Sequence, residues 1–334
     1  MKKIIVLMLC IVALSSSIFL LASCNEKQLL IVYLGDSIAE ALAGPSPLSE
    51  RERYGYYGVL GIRNNYIYRN RAVSGSRTFD LLAYVKCEDE DAKITQTLLK
   101  QADIIHISIL GNDLLFADIG ELLTTALEND FSGIDALVAI AADAVGETIA
   151  TLRTYNPNAT LIFQNVYNPI HPASMLLVDE IKDKMDAAGI PVEEYREKGE
   201  IILSRLNNVL VDYSTAHPGE IYIADAHKEF DRIFDQSTEK GIKLQCSDGV
   251  HPSSYGHAVL ADLTQGILEE LGLAKKSAAL KNYKKLRLEQ LERMYSSTTV
   301  NIKETKANIR KAKSCSEVTE AYFDATLGVV PKYF

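Results

Sequence analysis

The stretch Leu29-Leu30-Ile31-Val32-Tyr33-Leu34-Gly35-Asp36-Ser37 predicts the fold of this chain. It opens with a continuous apolar run, which is typical of a strand that is covered on both faces of a sheet. Gly35-Asp36-Ser37 then follows the strand directly, in a turn between strand and helix. A serine in such a turn is a candidate nucleophile, because its hydroxyl is exposed and backbone N–H groups point at the same place. The alternative is that Asp36 or Ser37 only caps the next helix.

Similar apolar segments alternate with amphipathic ones along the chain. Strands are predicted at 29–34, 66–73, 103–110, 159–166 and 220–224. Apolar residues at helical spacing predict helices at 38–42, 78–85, 91–101, 134–154, 175–188, 192–214 and 255–271. This alternation predicts an α/β fold, a three-layer α/β/α sandwich around a mainly parallel five-stranded sheet. Ligands in such sheets bind beyond the carboxyl ends of the strands, so the residues after each strand are the candidates for a site.

The last part of the chain differs from the body in charge. Residues 24–274 contain 20 Lys and Arg against 38 Asp and Glu, a net charge of −18, whereas residues 275–334 contain 13 against 6, a net charge of +7. Leucines among charged residues, a break at 296–299 and a helical stretch at 300–313 predict a helical hairpin appended to the body. The acidic body disfavours nucleic acid as a partner. The basic extension either contacts anionic lipid or wall polymer, or is a solvated face that complements the body.

The N-terminus has the three parts of a secretory signal peptide. Two lysines precede an apolar run over 4–21, and small residues lead to Cys24. Leu21-Ala22-Ser23-Cys24 resembles the bacterial lipobox, in which cleavage before the cysteine lets its thiol take a diacylglycerol. The resemblance implies a signal peptide over 1–23, a lipid anchor on Cys24 and a location on the extracytoplasmic face of the cell membrane. A permanent transmembrane helix is the alternative, since about 18 apolar residues can just span a bilayer.

The cysteines predict neither a disulfide scaffold nor a metal site. Of the 5 cysteines, Cys10 and Cys24 belong to the signal segment and its cleavage point, which leaves Cys87, Cys246 and Cys315. An odd number permits at most one disulfide. No cysteine pair or cysteine–histidine cluster has the spacing of zinc ligands. The mechanism implied by the resemblance described below needs neither a metal nor another cofactor.

Three further polar turns follow predicted strands or precede the last helix of the body. Ser74-Gly75-Ser76 follows the second strand, where no side chain on Gly75 would block a substrate from its N–H. Gly111-Asn112-Asp113 follows the third strand, where the Asn112 amide is a candidate donor to an oxyanion. Asp248-Gly249-Val250-His251 offers an imidazole as proton acceptor and a carboxylate to orient it. Taken singly, each turn is equally explained by ordinary turn and cap residues.

In their order, the four turns resemble the conserved blocks of the SGNH hydrolases, also called GDSL esterases and lipases. The resemblance covers about residues 29–271 and implies a flavodoxin-like fold and a serine esterase that works through an acyl-enzyme. It implies that Ser37 is the nucleophile, His251 the base and Asp248 the residue that orients the base. It also implies an oxyanion hole made by the N–H groups of Ser37 and Gly75 and by the side chain of Asn112.

Two positions depart from the pattern of that family. Members often have Asn-x-Gly before the second block, whereas Asn70 is followed here by Ala72. A glycine commonly lies two residues before the third-block asparagine, and here that residue is Leu110. The segment 165–169 resembles a loop of secreted members that we expect to line the pocket. His106, inside the third predicted strand, is expected to be a core residue.

The sequence leaves the substrate open. Acetyl esters of carbohydrate or cell wall are one candidate, and lysophospholipids or other lipid esters are another. The chain has no Trp, the best residue for stacking on sugars, although 17 Tyr are available. The alternative function is a non-catalytic surface lipoprotein that binds wall glycan or lipid through the same pocket. We expect a signal peptide at 1–23, a hydrolase domain at 24–274 and a basic helical extension at 275–334.

Overall fold

A computed structural model describes residues 28–42, 50–171, 174, 176–293 and 300–327 of the chain. The signal peptide, Cys24 and the break at 296–299 lie outside these residues, so the predictions about them stay predictions. Among the helices that are described, none combines the length and the apolar character that crossing a membrane requires.

Five parallel strands form one sheet in the order β2-β1-β3-β4-β5. They are β1 Leu30–Gly35, β2 Ile67–Asn70, β3 Ile104–Ser108, β4 Thr160–Gln164 and β5 Tyr222–Ala224. β1, β3 and β4 are almost completely buried, whereas the edge strand β2 has no buried residue. The predicted parallel sheet is therefore confirmed. Three strands end earlier than predicted, at Asn70, Ser108 and Gln164.

Helices cover both faces of the sheet. Up to β4 they are α1 Ser37–Glu40, α2 Arg51–Tyr54, α3 Tyr56–Asn64, α4 Thr78–Lys86, α5 Glu90–Gln101, α6 Gly111–Leu115, α7 Ile119–Leu127 and α8 Ser132–Tyr155. The later helices of the body are α9 Asp179–Ala187, α10 Tyr195–Ala216, α11 Ala226–Gln236, α12 Thr238–Lys243 and α13 Ser254–Glu270. The helix predicted from 175 begins only at Asp179, since Leu177 before it is buried in an apolar cluster instead. α3 was not predicted because almost all of it is buried, which leaves no polar face in its sequence.

The two faces of the sheet carry separate apolar cores. Ile31 and Tyr33 of β1 point into one core, and Val32 and Leu34 point into the other, as the alternation along a strand requires. The first core includes α3, α11 and α13, whereas the second includes α4, α5, α8 and α10. A third, smaller cluster lies between α7, α9 and α10. The three-layer sandwich predicted from the sequence is thus present.

The C-terminal extension is helical, as predicted, and it shares the first core. It consists of α14 Lys276–Arg293, α15 Ile302–Lys311 and α16 Cys315–Thr326, so a third helix follows the predicted hairpin. Arg63 of α3 is fully buried, pairs with Asp262 at 2.7 Å and lies 3.7 Å from the ring centre of Tyr283 in α14. The extension is therefore packed into the body and is not a separate unit. The limits predicted for the domains stay predictions.

Candidate active site

Ser37, His251 and Asp248 meet at the carboxyl edge of the sheet. His251 Nε2 lies 2.8 Å from Ser37 Oγ, although the two residues are 214 positions apart in the chain. His251 Nδ1 lies 2.7 Å from Asp248 Oδ2. A carboxylate on Nδ1 favours the tautomer with its proton there, which leaves Nε2 free to accept the serine proton. The structure therefore brings together the three residues that the sequence predicted.

The loop around Asp248 is built to hold the imidazole. Asp248 Oδ1 accepts hydrogen bonds from the backbone N–H groups of Val250 and His251, both at 3.0 Å, and its other oxygen faces the ring. Gly249 has a φ of +68°, a conformation that suits glycine. Burial disfavours the ionised Asp248, but these hydrogen bonds outweigh burial and hold its pKa below the usual value. Asp248 is thus a carboxylate at neutral pH.

The turn after β1 can be made only with glycine at position 35. Gly35 has a φ of +120°, and a Cβ atom there would lie 1.8 Å from the carbonyl oxygen of Ser108. Asp36 then caps α1, since its Oδ1 accepts from the N–H groups of Ile38 and Ala39 at 3.0 and 3.4 Å. The capping alternative is therefore correct for Asp36, whereas Ser37 begins α1 and faces His251. Burial raises the pKa of Asp36 to about 6, against the hydrogen bonds that it accepts.

Asn112 and the loop around Gly75 are in contact. Asn112 Nδ2 donates to the carbonyl oxygen of Ser76 at 3.0 Å, and one amide proton remains for another acceptor. Asp113 accepts from the N–H and the hydroxyl of Thr78, at 3.1 and 2.7 Å, so it supports this loop. The exposed Gly75 itself has a φ of +82°.

The two departures from the family pattern have local structural consequences. Asn70 Nδ2 donates to the carbonyl of Ala39 at 2.7 Å, and its Oδ1 accepts from the N–H of Ala72 at 3.1 Å. Asn70 thus joins the second turn to α1 without the usual glycine. Leu110 has a φ of +91°, a strained value for a leucine, and its side chain is completely buried in the second core. Packing of the buried Leu110 side chain therefore stabilises a backbone conformation that glycine would adopt without strain.

An apolar cleft begins at Ser37. The empty space between its walls is about 660 Å³, a figure that includes open solvent at the mouth. Most of its walls come from α6, α7, α10 and the loop after β4, and its lining is Asp36, Ser37, Ile38, Gly111, Asn112, Leu114, Leu115, Ile119, Val166, Tyr167, Asn168, Pro169, Ile170, Leu176, Gly199, Ile202, Leu203 and Val250. The loop 165–169 lines the pocket as predicted, except that Asn165 is not among the lining residues.

A model of the GDSL-like lipase/acylhydrolase family matches residues 33–259, which is more than half of the chain. The chain belongs to this family. It is therefore a serine hydrolase that acts on ester bonds. The comparison with curated proteins gives no match.

Several solved structures are similar to this GDSL-family hydrolase. The lipase Lip_vut3 from a goat rumen metagenome is 19% identical, with a TM-score of 0.49 over 72% of this chain and 97% of that one. Phospholipase A1 from Streptomyces albidoflavus NA297 is 17% identical, with a TM-score of 0.48 over 74% of this chain and 100% of that one. An extracellular lipase from Streptomyces rimosus is 18% identical, with a TM-score of 0.49 over the same 74% and 100%. At these values the similarity carries no information about the substrate.

Two histidines of the hydrolase are buried in its first core. His106 in β3 lies 3.3 Å from the Tyr56 hydroxyl and 3.2 Å from the Thr264 hydroxyl, and burial lowers its pKa to about 3. Both ring nitrogens of His106 thus have a hydrogen-bond partner, and His106 is a core residue, as predicted. His257 in α13 is completely buried too, and burial lowers its pKa to about 3. Neither imidazole is charged at neutral pH.

Cys87, Cys246 and Cys315 are free thiols. Burial raises the pKa of Cys246 to about 12 and that of Cys315 to about 11, so both are protonated at neutral pH. The sequence had allowed one disulfide among them, and the described part of the chain has none.

The sequence did not predict a cluster of charged groups behind the cleft. Carboxylate oxygens of Glu200 and Asp231 and a ring nitrogen of His227 lie within 4.8 Å of one another, a spacing that a metal ion could use. However, the guanidinium of Arg196 already pairs with Asp231, and its charge opposes a cation at this place. His227 and Asp231 share a face of α11 at a spacing of four residues, which was the only signal in the sequence.

Proposed function

We propose that this protein is a lipid-anchored, extracytoplasmic esterase that hydrolyses esters of aliphatic acyl chains. The observation that supports the substrate class is the apolar cleft, which begins at Ser37 and continues between α7 and α10. An acetyl group would fill only the start of this cleft, whereas a longer chain would bury apolar surface along it, at roughly 25 cal/mol per Å². A lysophospholipid or another lipid ester is therefore favoured over an acetylated glycan.

The proposed reaction has two steps. Ser37 attacks the ester carbonyl while His251 accepts its proton, and the alcohol leaves with that proton. Water, activated by His251, then attacks the acyl-enzyme and releases the acid. Asp248 orients the imidazole and stabilises its charged form in both steps.

The negative charge on the carbonyl oxygen needs donors in each step. We assign this role to the N–H groups of Ser37 and Gly75 and to the amide proton of Asn112 that does not bind Ser76. Such donors act strongly in an apolar cleft because little water screens them. Together with the intact contact between Ser37 and His251, this assignment favours catalysis over the non-catalytic binding function.

The substrate is tested with p-nitrophenyl esters of increasing acyl length and protein that lacks residues 1–24. We expect kcat/KM to rise from acetate towards medium-length chains, and Ser37→Ala to lose on the order of a thousandfold or more. A preference for acetate would contradict the acyl-chain proposal, and full activity of Ser37→Ala would contradict the mechanism.

The anchor is tested separately by expressing the full chain and Cys24→Ser with a radiolabelled fatty acid. We expect label and membrane retention in the wild-type protein only. Equal retention without label in both proteins would instead support the transmembrane alternative.

A further inference from the structure

The cleft wall at residues 168–170 is held from behind by α10. Arg196 donates from its guanidinium to the carbonyl oxygens of Asn168 and Ile170, each at 3.0 Å. The Asn168 amide in turn donates to the carbonyl of Arg196 at 3.0 Å and to Glu200 at 3.1 Å. The backbone of this wall therefore depends on the positions of two charged side chains.

His227 links these side chains to α11. Its Nε2 lies 2.8 Å from Glu200 Oε1 and 3.3 Å from Asp231 Oδ2, and Asp231 also pairs with Arg196. The backbone N–H of His227 donates to Asn165 Oδ1 at 3.0 Å. The network thus contacts the loop after β4 both at its start and at its end.

The charges in the network balance only when His227 is protonated. Two carboxylates, Glu200 and Asp231, then face two cations. A neutral imidazole leaves Arg196, among the residues that the structure describes, as the one cation paired with this cluster. Asp225, the cap of α11, adds a further negative charge nearby. The bond to Glu200 raises the pKa of His227 above its ordinary value in spite of burial, and the charges of Glu200 and Asp231 act in the same direction.

We propose that protonated His227 is a positioning residue that fixes the cleft wall at 168–170 and thereby determines how well the enzyme accepts long acyl chains. The proposal rests on the acyl-ester function proposed above. When the proton is lost, Glu200 and Asp231 repel each other, and Glu200 is the side chain that holds Asn168. The wall then loosens, so a long chain loses contacts. An acetyl group stays near Ser37 and is unaffected.

The test measures kcat/KM for p-nitrophenyl decanoate and p-nitrophenyl acetate over a range of pH. Both esters use the same catalytic groups, so the ratio of the two values cancels the pH dependence of the shared chemical steps. In the wild-type protein the decanoate/acetate ratio should fall on the order of fivefold as pH rises through the pKa of His227. In His227→Gln the ratio should be low at every pH.

A matched control is His217→Gln, which changes a half-exposed histidine 3.7 Å from Glu220 at the far end of α10. In His217→Gln the decanoate/acetate ratio should depend on pH as it does in the wild-type protein. Glu200→Gln is a second variant, which keeps an acceptor for Asn168 but removes the main cause of the raised pKa. Because a neutral side chain at position 200 cannot repel Asp231, the ratio in Glu200→Gln should vary little with pH, and this result decides the question if His227→Gln does not fold.

Two results would overturn the proposal. One is a ratio that is the same in the wild-type protein and His227→Gln at every pH. The other is a parallel loss of activity on both esters with a lowered melting temperature, which would make His227 a general stabilising residue. If the wild-type protein hydrolyses neither ester, the proposed function itself is wrong.

Discussion

The phenol of Tyr167 donates a hydrogen bond to the carbonyl oxygen of Val250, the residue directly before His251. Tyr167 is buried, and its ring stacks on Phe230 with 4.4 Å between the ring centres. The loop after β4 therefore supports the histidine loop as well as lining the cleft. This contact restricts the backbone that carries the imidazole towards Ser37.

We expect Tyr167→Phe to lower kcat about fivefold, since a lost hydrogen bond of about 1 kcal/mol leaves the Val250 carbonyl unpaired and His251 less well placed. Steady-state kinetics and thermal unfolding check this prediction. The control is Tyr66→Phe, which also removes a hydroxyl that binds a backbone carbonyl, that of Leu273 at 2.8 Å. Tyr66→Phe should affect stability only, and equal kinetics in the two variants would contradict the role of Tyr167.

Gly35→Ala should prevent the turn before Ser37 from forming. The added Cβ atom would lie 1.8 Å from the Ser108 carbonyl oxygen, and β1 and β3 are paired there, so the sheet would have to shift. We expect a loss of more than about 3 kcal/mol in the free energy of unfolding and almost no activity. Urea unfolding gives the measurement. The control is Gly219→Ala, with a φ of +81° but no atom within 4 Å of the new Cβ, which should cost only about 1 kcal/mol. Equal losses would show that steric contact at Gly35 is unimportant.

Asp36→Asn should change the pH dependence of stability. The pKa of Asp36 is raised to about 6 in the folded protein from its ordinary value of 3.8, so its protonated form favours folding. That contribution is full below the unfolded value and is lost as pH rises through about 6. The wild-type protein should therefore gain up to about 3 kcal/mol relative to Asp36→Asn between about pH 8 and about pH 4. Urea unfolding at both pH values measures the difference, and a constant difference would contradict the raised pKa.

Removal of residues 275–327 should unfold the protein. Tyr283, Leu286, Val318 and Phe323 belong to the core that also contains Tyr33, and their loss would expose it. Arg63 would also lose the ring of Tyr283 that covers its guanidinium. Circular dichroism should show no cooperative melting of the truncated chain. The control is Lys285→Ala in α14, which changes a side chain that is 78% exposed, and it should melt like the full chain. A truncated protein that folds and hydrolyses esters would contradict this prediction.

Three of the strands, β1, β3 and β4, could be predicted because their sequences reflect burial. The apolar runs in β1, β3 and β4 are covered on both faces, so local composition identifies them without knowledge of their neighbours. α3 and α16 were missed for different reasons. α3 is buried almost all round and has no amphipathic pattern. α16 begins after Ser314, just beyond the residue at which the predicted helical stretch of the extension ends.

Some features of the active site could likewise be predicted from the sequence, and others could not. Ser37, Asn112, Asp248 and His251 lie in turns whose order along the chain is visible in the sequence. The contact of Tyr167 with Val250 spans 83 positions, and that of Glu200 with His227 joins two helices. No local pattern predicts such pairs, because side chains far apart in the chain meet only after the helices pack.

By itself, the amino-acid sequence determined the alternation of strands and helices, the turns that carry the reactive groups and the charge difference between body and extension. These features depend on residues that are close together in the chain, because the burial of a segment and the conformation of a turn are reflected in its own residue types. The tertiary structure alone decided that His251 Nε2 lies 2.8 Å from Ser37 Oγ, that an apolar cleft starts there and that α14 and α16 complete a core. Distances and cavities of this kind depend on how the layers pack, and packing is a property of the whole chain.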